Sequence, residues 1–410
     1  MAAVTVGQVA LLGRLHVPRA VTGVHTVKKR QSSTNLANVP RGRGGRSSFS
    51  GHVVTVFGAS GFIGPKLVNR FGKNGSKIII PYRNDPYRVQ HLKLASDLGQ
   101  IQFLPFHLQE EDTIRKALQY SDTVINVINK DHPTKCFTLE DVHVTGARTI
   151  ARLCREEGVT NLVHFSHLLA SPEPKQLFSS EGTEYLRAKY EGELAVREEF
   201  PDAIVFRPSV MYGSSDRFLR RYIFLGQGKR SEYKVRFWKG GKETIKMPLF
   251  GSDVVDGVMA ALERPESRGQ TYEAYGPDSF YMVDLIKFFN FCLRRNLDGV
   301  EDYRQIDLLK MKHVDPYNPF SSYKFQNLYT LEQESLSEKP TGLPSLEDLG
   351  VKLTKIQDRA RYELKPARVD NYYDEQLGQF ADCADPPTVA EVESSKGKPP
   401  PDFNVFGARM

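Results

Sequence analysis

Between residues 52 and 208 short apolar runs alternate with longer segments whose apolar positions recur every three or four residues. The runs HVVTVFG (52–58), KIIIPY (77–82), IQFLPF (101–106), DTVINVI (122–128), NLVHFS (161–166) and AIVFRP (203–208) read as strands. The segments near 64–73, 86–98, 110–120, 138–157 and 182–199 read as helices. Near-continuous apolar strands separated by helices predict parallel pairing through right-handed crossovers, and so an α/β fold built on a doubly wound parallel sheet. Beyond residue 210 the alternation loosens, although 251–264 and 282–295 keep a helical period, which predicts a smaller C-terminal α/β region.

Composition changes this picture mainly at the two ends. The formal charge is +7, but residues 1–50 hold eight Lys or Arg and no acid, the first acid being Asp85. Without those eight cations the remainder carries −1, so the folded part is near neutral and no nucleic-acid partner is expected. An acid-free leader rich in Arg, Ser and Thr, with only short apolar pieces, fits a mitochondrial import sequence better than a secretory signal. No window approaches the length of an apolar membrane span. Residues 384–403 are rich in Pro, Ser and charge and read as a mobile tail. Cys136, Cys154, Cys292 and Cys383 stand singly, without the spacing of a disulfide framework or a zinc site, so no metal is expected.

The candidate chemistry begins at VVTVFGASGFIG, residues 53–64, where Gly58, Gly61 and Gly64 end an apolar strand and open a helix. Such a turn presents backbone N–H groups to a pyrophosphate, which makes the sheet a candidate Rossmann sheet for a dinucleotide. The spacing is G-x-x-G-x-x-G, whereas the common fingerprint is G-x-G-x-x-G, so the position between strand and helix carries much of the signal. The second strand ends PYRND, with Arg83 and Asp85 both placed to meet the adenosine ribose. Arg83 comes first and its planar fork suits a 2′-phosphate, which favours NADPH; an acid in that role would favour NADH.

In YLRAK, Tyr185 and Lys189 are four apart and share a helix face. A neighbouring ammonium favours the phenolate of a tyrosine and can also bond a nicotinamide ribose. Glycine loop, YLRAK and FRPSVMYG together resemble the extended or atypical short-chain dehydrogenase/reductase superfamily. That superfamily implies a Ser or Thr just after the fifth strand; here Ser166 ends the strand, and the expected hydroxyl position is Leu168.

More closely, GRGGRSSFSGHVVTVFGASGFIG, IIIPYRND, VHFSHL, YLRAKYEGE, RPSVMYGSSDRFL and GLPSLEDLGV resemble the NADPH-binding accessory subunits of mitochondrial respiratory complex I, over residues 42–360. The resemblance implies an NADPH-binding Rossmann domain over 52–280, flanked by a leader and basic linker (1–46), a C-terminal region (281–380) and a disordered tail (381–410). It implies cofactor contacts from Gly58, Ser60, Gly61, Phe62, Ile63, Gly64, Arg83, Leu108, Val127, Ser166, Tyr185, Lys189 and Pro208. Partners are then other complex I subunits, in the mitochondrial matrix, with peripheral contact to the inner membrane. The chain departs from the superfamily at His107, where an Asp usually meets adenine, and resembles the family poorly over 296–340. An active NADPH-dependent reductase with Tyr185 as acid and an RNA-associated protein are the competing readings; Leu168 and the leader weigh against the first, the near-neutral body against the second.

Overall fold

The computed structural model describes residues 39–83, 85–177, 180–225, 233–295, 297–303, 328–368 and 384–394. Its strands are β1 (Val53–Phe57), β2 (Lys77–Tyr82), β3 (Ile101–Pro105), β4 (Thr123–Asn126), β5 (Asn161–Phe165), β6 (Ile204–Pro208), β7 (Met211–Tyr212), β8 (Tyr233–Arg236), β9 (Ile245–Lys246), β10 (Leu249–Phe250), β11 (Thr271–Ala274), β12 (Phe280–Tyr281) and β13 (Leu297–Glu301). Its helices are α1 (Gly64–Lys73), α2 (Tyr87–Gln90), α3 (Glu111–Leu118), α4 (Gly146–Glu157), α5 (Ser180–Glu199), α6 (Phe218–Leu225), α7 (Gly251–Glu263), α8 (Met282–Cys292), α9 (Leu328–Ser335), α10 (Ile356–Leu364) and α11 (Val389–Ser394). No helix among the described residues is long and apolar enough to cross a membrane.

Seven strands form one sheet in the order β11-β6-β5-β4-β1-β2-β3, and every pairing in it is parallel. The alternation within β1 explains why both faces are covered. Val54 and Val56 pack with Leu67, Val68 and Phe71 of α1 and Val254 and Val258 of α7. Val53 and Phe57 turn to the opposite face, where α3 and α4 contribute Ile114, Leu118, Ile150 and Leu153. A separate core joins Phe237, Leu285, Phe288, Phe289, Ala360 and Leu364 in the C-terminal part.

All six expected strands are present. The seventh, β11, lacks a long apolar run because its centre is Glu273, fully buried and accepting the Thr341 N–H at 3.0 Å. Glu338 is likewise buried, with the Val210 N–H at 3.0 Å, the Met247 N–H at 2.9 Å and the Lys246 ammonium at 3.6 Å. Residues 336–346 thus strap the C-terminal part to the sheet through buried carboxylates. The expected helix over 86–98 breaks after α2 into a tight 3₁₀ turn, His91–Ala95, and Leu94 and Leu98 stay exposed. The helix expected over 138–157 enters α4 through a π turn at Asp141–Thr145. Gly192 of α5 accommodates that turn, since a Cβ there would overlap the His143 carbonyl.

Part of the expected tail is ordered. The Asp385 carboxylate accepts from Arg361 at 2.6 Å, and the Val389 N–H reaches the Ser279 carbonyl at 2.9 Å. The local reason is a capping box in which the Thr388 N–H donates to Glu391 at 2.8 Å and the Glu391 N–H to Thr388 Oγ1 at 3.4 Å. Residues 381–383 and 395–410 of that tail lie outside the described residues.

The described part of the expected leader also belongs to the body: Arg41 and Phe49 exchange two backbone hydrogen bonds of 2.8 Å, and Gln100 donates to the Ser48 carbonyl at 2.9 Å. If a leader is removed, this pairing requires its cleavage point upstream of Arg41, which mass spectrometry of the N-terminus would read. A mature chain beginning after Phe49 would contradict this.

Candidate functional site

At Gly58 the backbone adopts φ +81°, and a Cβ there would stand 2.9 Å from the Val127 carbonyl. Only glycine lets β1 turn so close to the exit of β4. A Cβ on Gly64 would overlap the backbone of Ala59, so α1 starts pressed against the loop. Gly61 differs: its N–H bonds the Gly58 carbonyl at 3.0 Å, and an added Cβ would meet only that oxygen, at 3.3 Å. Ser60 and Gly61 are exposed, Phe62 is half-buried and Ile63 is buried. α1 then opens without a side-chain cap and without an acid in its first turn. Its first N–H groups and the open face at Gly61 fit the diphosphate of a dinucleotide.

The sheet order reverses between β1 and β4, and the remaining expected residues gather at the same carboxyl ends of the strands. Arg83 follows β2, exposed and without an ion pair among the described residues. The Asp85 carboxylate instead accepts the Tyr87 N–H at 2.9 Å. Leu108, after β3, packs where α4 has Gly146, while the adjacent His107 leaves Nδ1 buried without a hydrogen bond. Val127 follows β4 and closes on Gly58; Ser166 follows β5 with its hydroxyl buried and unbonded; Pro208 ends β6. Leu168 is buried and its N–H bonds the Pro208 carbonyl at 2.9 Å, so the Ser or Thr hydroxyl of the superfamily has no counterpart at that position.

Tyr185 and Lys189 lie on α5, both almost wholly buried. The Tyr185 hydroxyl donates to Asn129 Oδ1 at 3.0 Å, and the Lys189 ammonium donates to the Phe165 carbonyl at 3.1 Å, standing 5.9 Å from the phenol ring centre. The glycine loop and this helix therefore meet through the exit of β4, where Val127 contacts Gly58 and Asn129 contacts Tyr185. The expectation of a phenolate favoured by lysine does not hold. Burial pushes the phenol up, and burial lowers Lys189 to about 7 despite the nearby Glu193.

The lowered lysine has a measurable consequence. Above pH 7 the native lysine has lost a proton that the unfolded one, with a value near 10.4, retains, so this group's contribution to stability rises with pH by up to about 1.4 kcal/mol per unit. In nucleotide-free protein the gain of Lys189→Met over the parent should therefore shrink from pH 7 to 9 in urea titrations. A difference independent of pH would show that the ammonium is not strained by burial.

Two residues not anticipated complete the site. Asn129 is the first exposed polar side chain beyond the apolar run of β4, a signal that scanning strand exits would have found. His143 is buried, bonds the Lys130 carbonyl at 2.7 Å and stands edge-on to Tyr185 with ring centroids 5.3 Å apart. Burial keeps it neutral. Its inward aim depends on the π turn, for which the sequence has no evident signal.

An open glycine turn at the switch point of a parallel sheet is where dinucleotides commonly bind in such folds. Residues 54–275 match the model of the NAD dependent epimerase/dehydratase family. The chain is 38% identical over 326 residues to NADH dehydrogenase [ubiquinone] 1 alpha subcomplex subunit 9, mitochondrial, of Mus musculus, covering 78% of this chain and 82% of the relative. It is 34% identical over 245 residues to the NADH-ubiquinone oxidoreductase 40 kDa subunit, mitochondrial, of Neurospora crassa, covering 60% and 61%. The solved dTDP-glucose 4,6-dehydratase DesIV of Streptomyces venezuelae, with NAD and TYD bound, shares the fold at a TM-score of 0.56 and 14% identity, covering 79% of this chain and 99% of that one. The chain thus belongs to the NAD dependent epimerase/dehydratase family, among the relatives of the alpha subcomplex subunit 9 proteins.

Proposed function

We propose that the chain is an accessory subunit of mitochondrial NADH:ubiquinone oxidoreductase, peripheral to the matrix face of the inner membrane, and that it holds NADPH as a structural ligand without turnover. One observation carries the reading. The phenol that would act on a substrate is enclosed by the chain itself, its hydroxyl given to Asn129 and its ring in a cluster with Leu139, Leu186, Ala188 and Leu336, against which Leu169, Leu177 and Tyr329 pack. Tyr329 comes from α9 and Leu336 from the strap, so the C-terminal part packs against Tyr185. With NADPH bound, the nicotinamide end would lie by Tyr185 and Lys189, the diphosphate over Gly61 and the 2′-phosphate by Arg83. The names of the mitochondrial relatives support the assembly; the free cation at Arg83 supports NADPH.

Tyr185→Phe tests the reading: assembled complex and respiration should stay near parental levels. A reproducible NADPH-dependent carbonyl reduction abolished by Tyr185→Phe would instead establish a reductase. For the cofactor, Arg83→Ala should cost NADPH about 1.5–3 kcal/mol of binding while leaving NADH nearly unchanged. Unaltered relative affinity for the two nucleotides would assign the choice to another residue.

A further inference from the structure

The end of the sheet opposite the nucleotide crevice carries a second surface. The turn from Arg41 to Phe49 is pinned there: the Ser50 hydroxyl meets that of Ser76 at 3.2 Å, the Ser48 N–H bonds the Gly45 carbonyl at 3.1 Å, and Gly75 leaves no room for a Cβ beneath Ser48 and Gly45. Gln100 ties the turn to the segment that enters β3. On that segment Leu94 is 83% exposed and Leu98 fully exposed. Around them Arg43, Arg46, Lys73 and Lys93 are exposed and form no ion pair among the described residues, Arg46 reaching only the Asn69 amide at 3.4 Å. Asp97 is the acid within this surface, and it bonds the Leu98 N–H at 2.8 Å. Next to it β3 ends the sheet, pairing with β2 alone among the described residues.

We propose that this face, the Arg41–Phe49 turn together with Leu94 and Leu98, docks an acidic surface of a neighbouring protein subunit that also offers an apolar recess for the leucines; this rests on the subunit reading above. Charge complementarity sets the sign of the partner. The arginines ride on a closed, pinned turn, which suits paired bonds to carboxylates, and arginine is enriched in protein interfaces where lysine is depleted. A lipid surface would be met more naturally by a long amphipathic helix, whereas here the leucines stand on a short 3₁₀ turn and its exit. The two leucines project from the core, and the cations around them form no ion pair among the described residues, Lys93 lying over the Phe103 ring at 6.0 Å.

The test uses the full chain expressed in mitochondria lacking their own copy. Arg43→Glu with Arg46→Glu, and separately Leu94→Asp with Leu98→Asp, should each lower incorporation into the large assembly on native gels roughly tenfold, a scale ordinary for charge reversal or hot-spot loss at an interface. Arg43→Lys with Arg46→Lys, which keeps the charge but loses the planar fork, should fall between the parent and the charge reversal. NADPH content per chain and the unfolding midpoint should stay parental, which separates docking from nucleotide binding. A photoreactive residue at Leu98 should join to an acidic segment of another subunit of the same assembly. Parental incorporation of both double variants, or loss of nucleotide together with incorporation, overturns the proposal. So does loss of binding to phosphatidylcholine–cardiolipin vesicles as the sole effect, which would assign the face to lipid. Parental protein found wholly outside the assembly would sink the subunit reading itself.

Discussion

Gly61→Val is expected to abolish nucleotide binding while leaving an intact fold. A Cβ at this position meets only the Gly58 carbonyl, at 3.3 Å, and Gly61 lacks the positive φ found at Gly58. The protein can hold the larger residue; the diphosphate cannot approach past its methyl groups. Losing that approach should weaken binding at least a hundredfold, about 3 kcal/mol. The structural consequence is larger than the affinity suggests. A ligand at a thousand times its Kd adds about 4 kcal/mol to the stability of the native state, a large part of an ordinary domain's margin. Titration calorimetry should show no NADPH binding, melting should become independent of added nucleotide, and assembled complex should fall without a separate defect in electron transfer in what remains. Normal assembly around a nucleotide-free Gly61→Val chain would refute the structural role of NADPH. Gly64→Val is no substitute for this experiment, because overlap with Ala59 would unsettle the fold itself.

The second large effect is expected at Glu338→Ala. This carboxylate satisfies two backbone N–H groups, of Val210 and Met247, and faces the buried Lys246 ammonium, which also donates to the Leu336 carbonyl at 2.9 Å. Alanine would leave two buried donors unpaired and a cation without its counter-charge. Removing one partner of a buried pair costs about 3–5 kcal/mol. Equilibrium urea unfolding should show that loss, and Glu338→Gln, which keeps an acceptor but not the charge, should fall between. An unchanged midpoint would mean that water replaces the carboxylate and that the strap is not held there.

The strands and glycines were readable because burial on both faces imposes apolar runs of strand length, and the close approaches at Gly58 and Gly64 exclude any other residue. β11 was hidden by Glu273, whose partner lies 68 residues away, a distance over which local pattern carries no information. In residues 384–394 two signals compete: composition speaks for disorder, while the capping box Thr388–Glu391 is a local signal for α11. At the site, YLRAK marked the helix and its facing side chains, but neither the raised phenol nor the lowered lysine could be read from spacing. Both follow from burial, which α9 and Leu336 help to provide from the far end of the chain.

The strap also sets an order of events when the chain folds from its N-terminal end. The Val210 N–H waits for Glu338, 128 residues later, and Glu273 waits for Thr341. β1 to β5 can pair early, whereas Val210, just past β6, and Glu273 of β11 carry polar groups whose partners come later in the chain. The last segment to dock is therefore the one that closes over Tyr185.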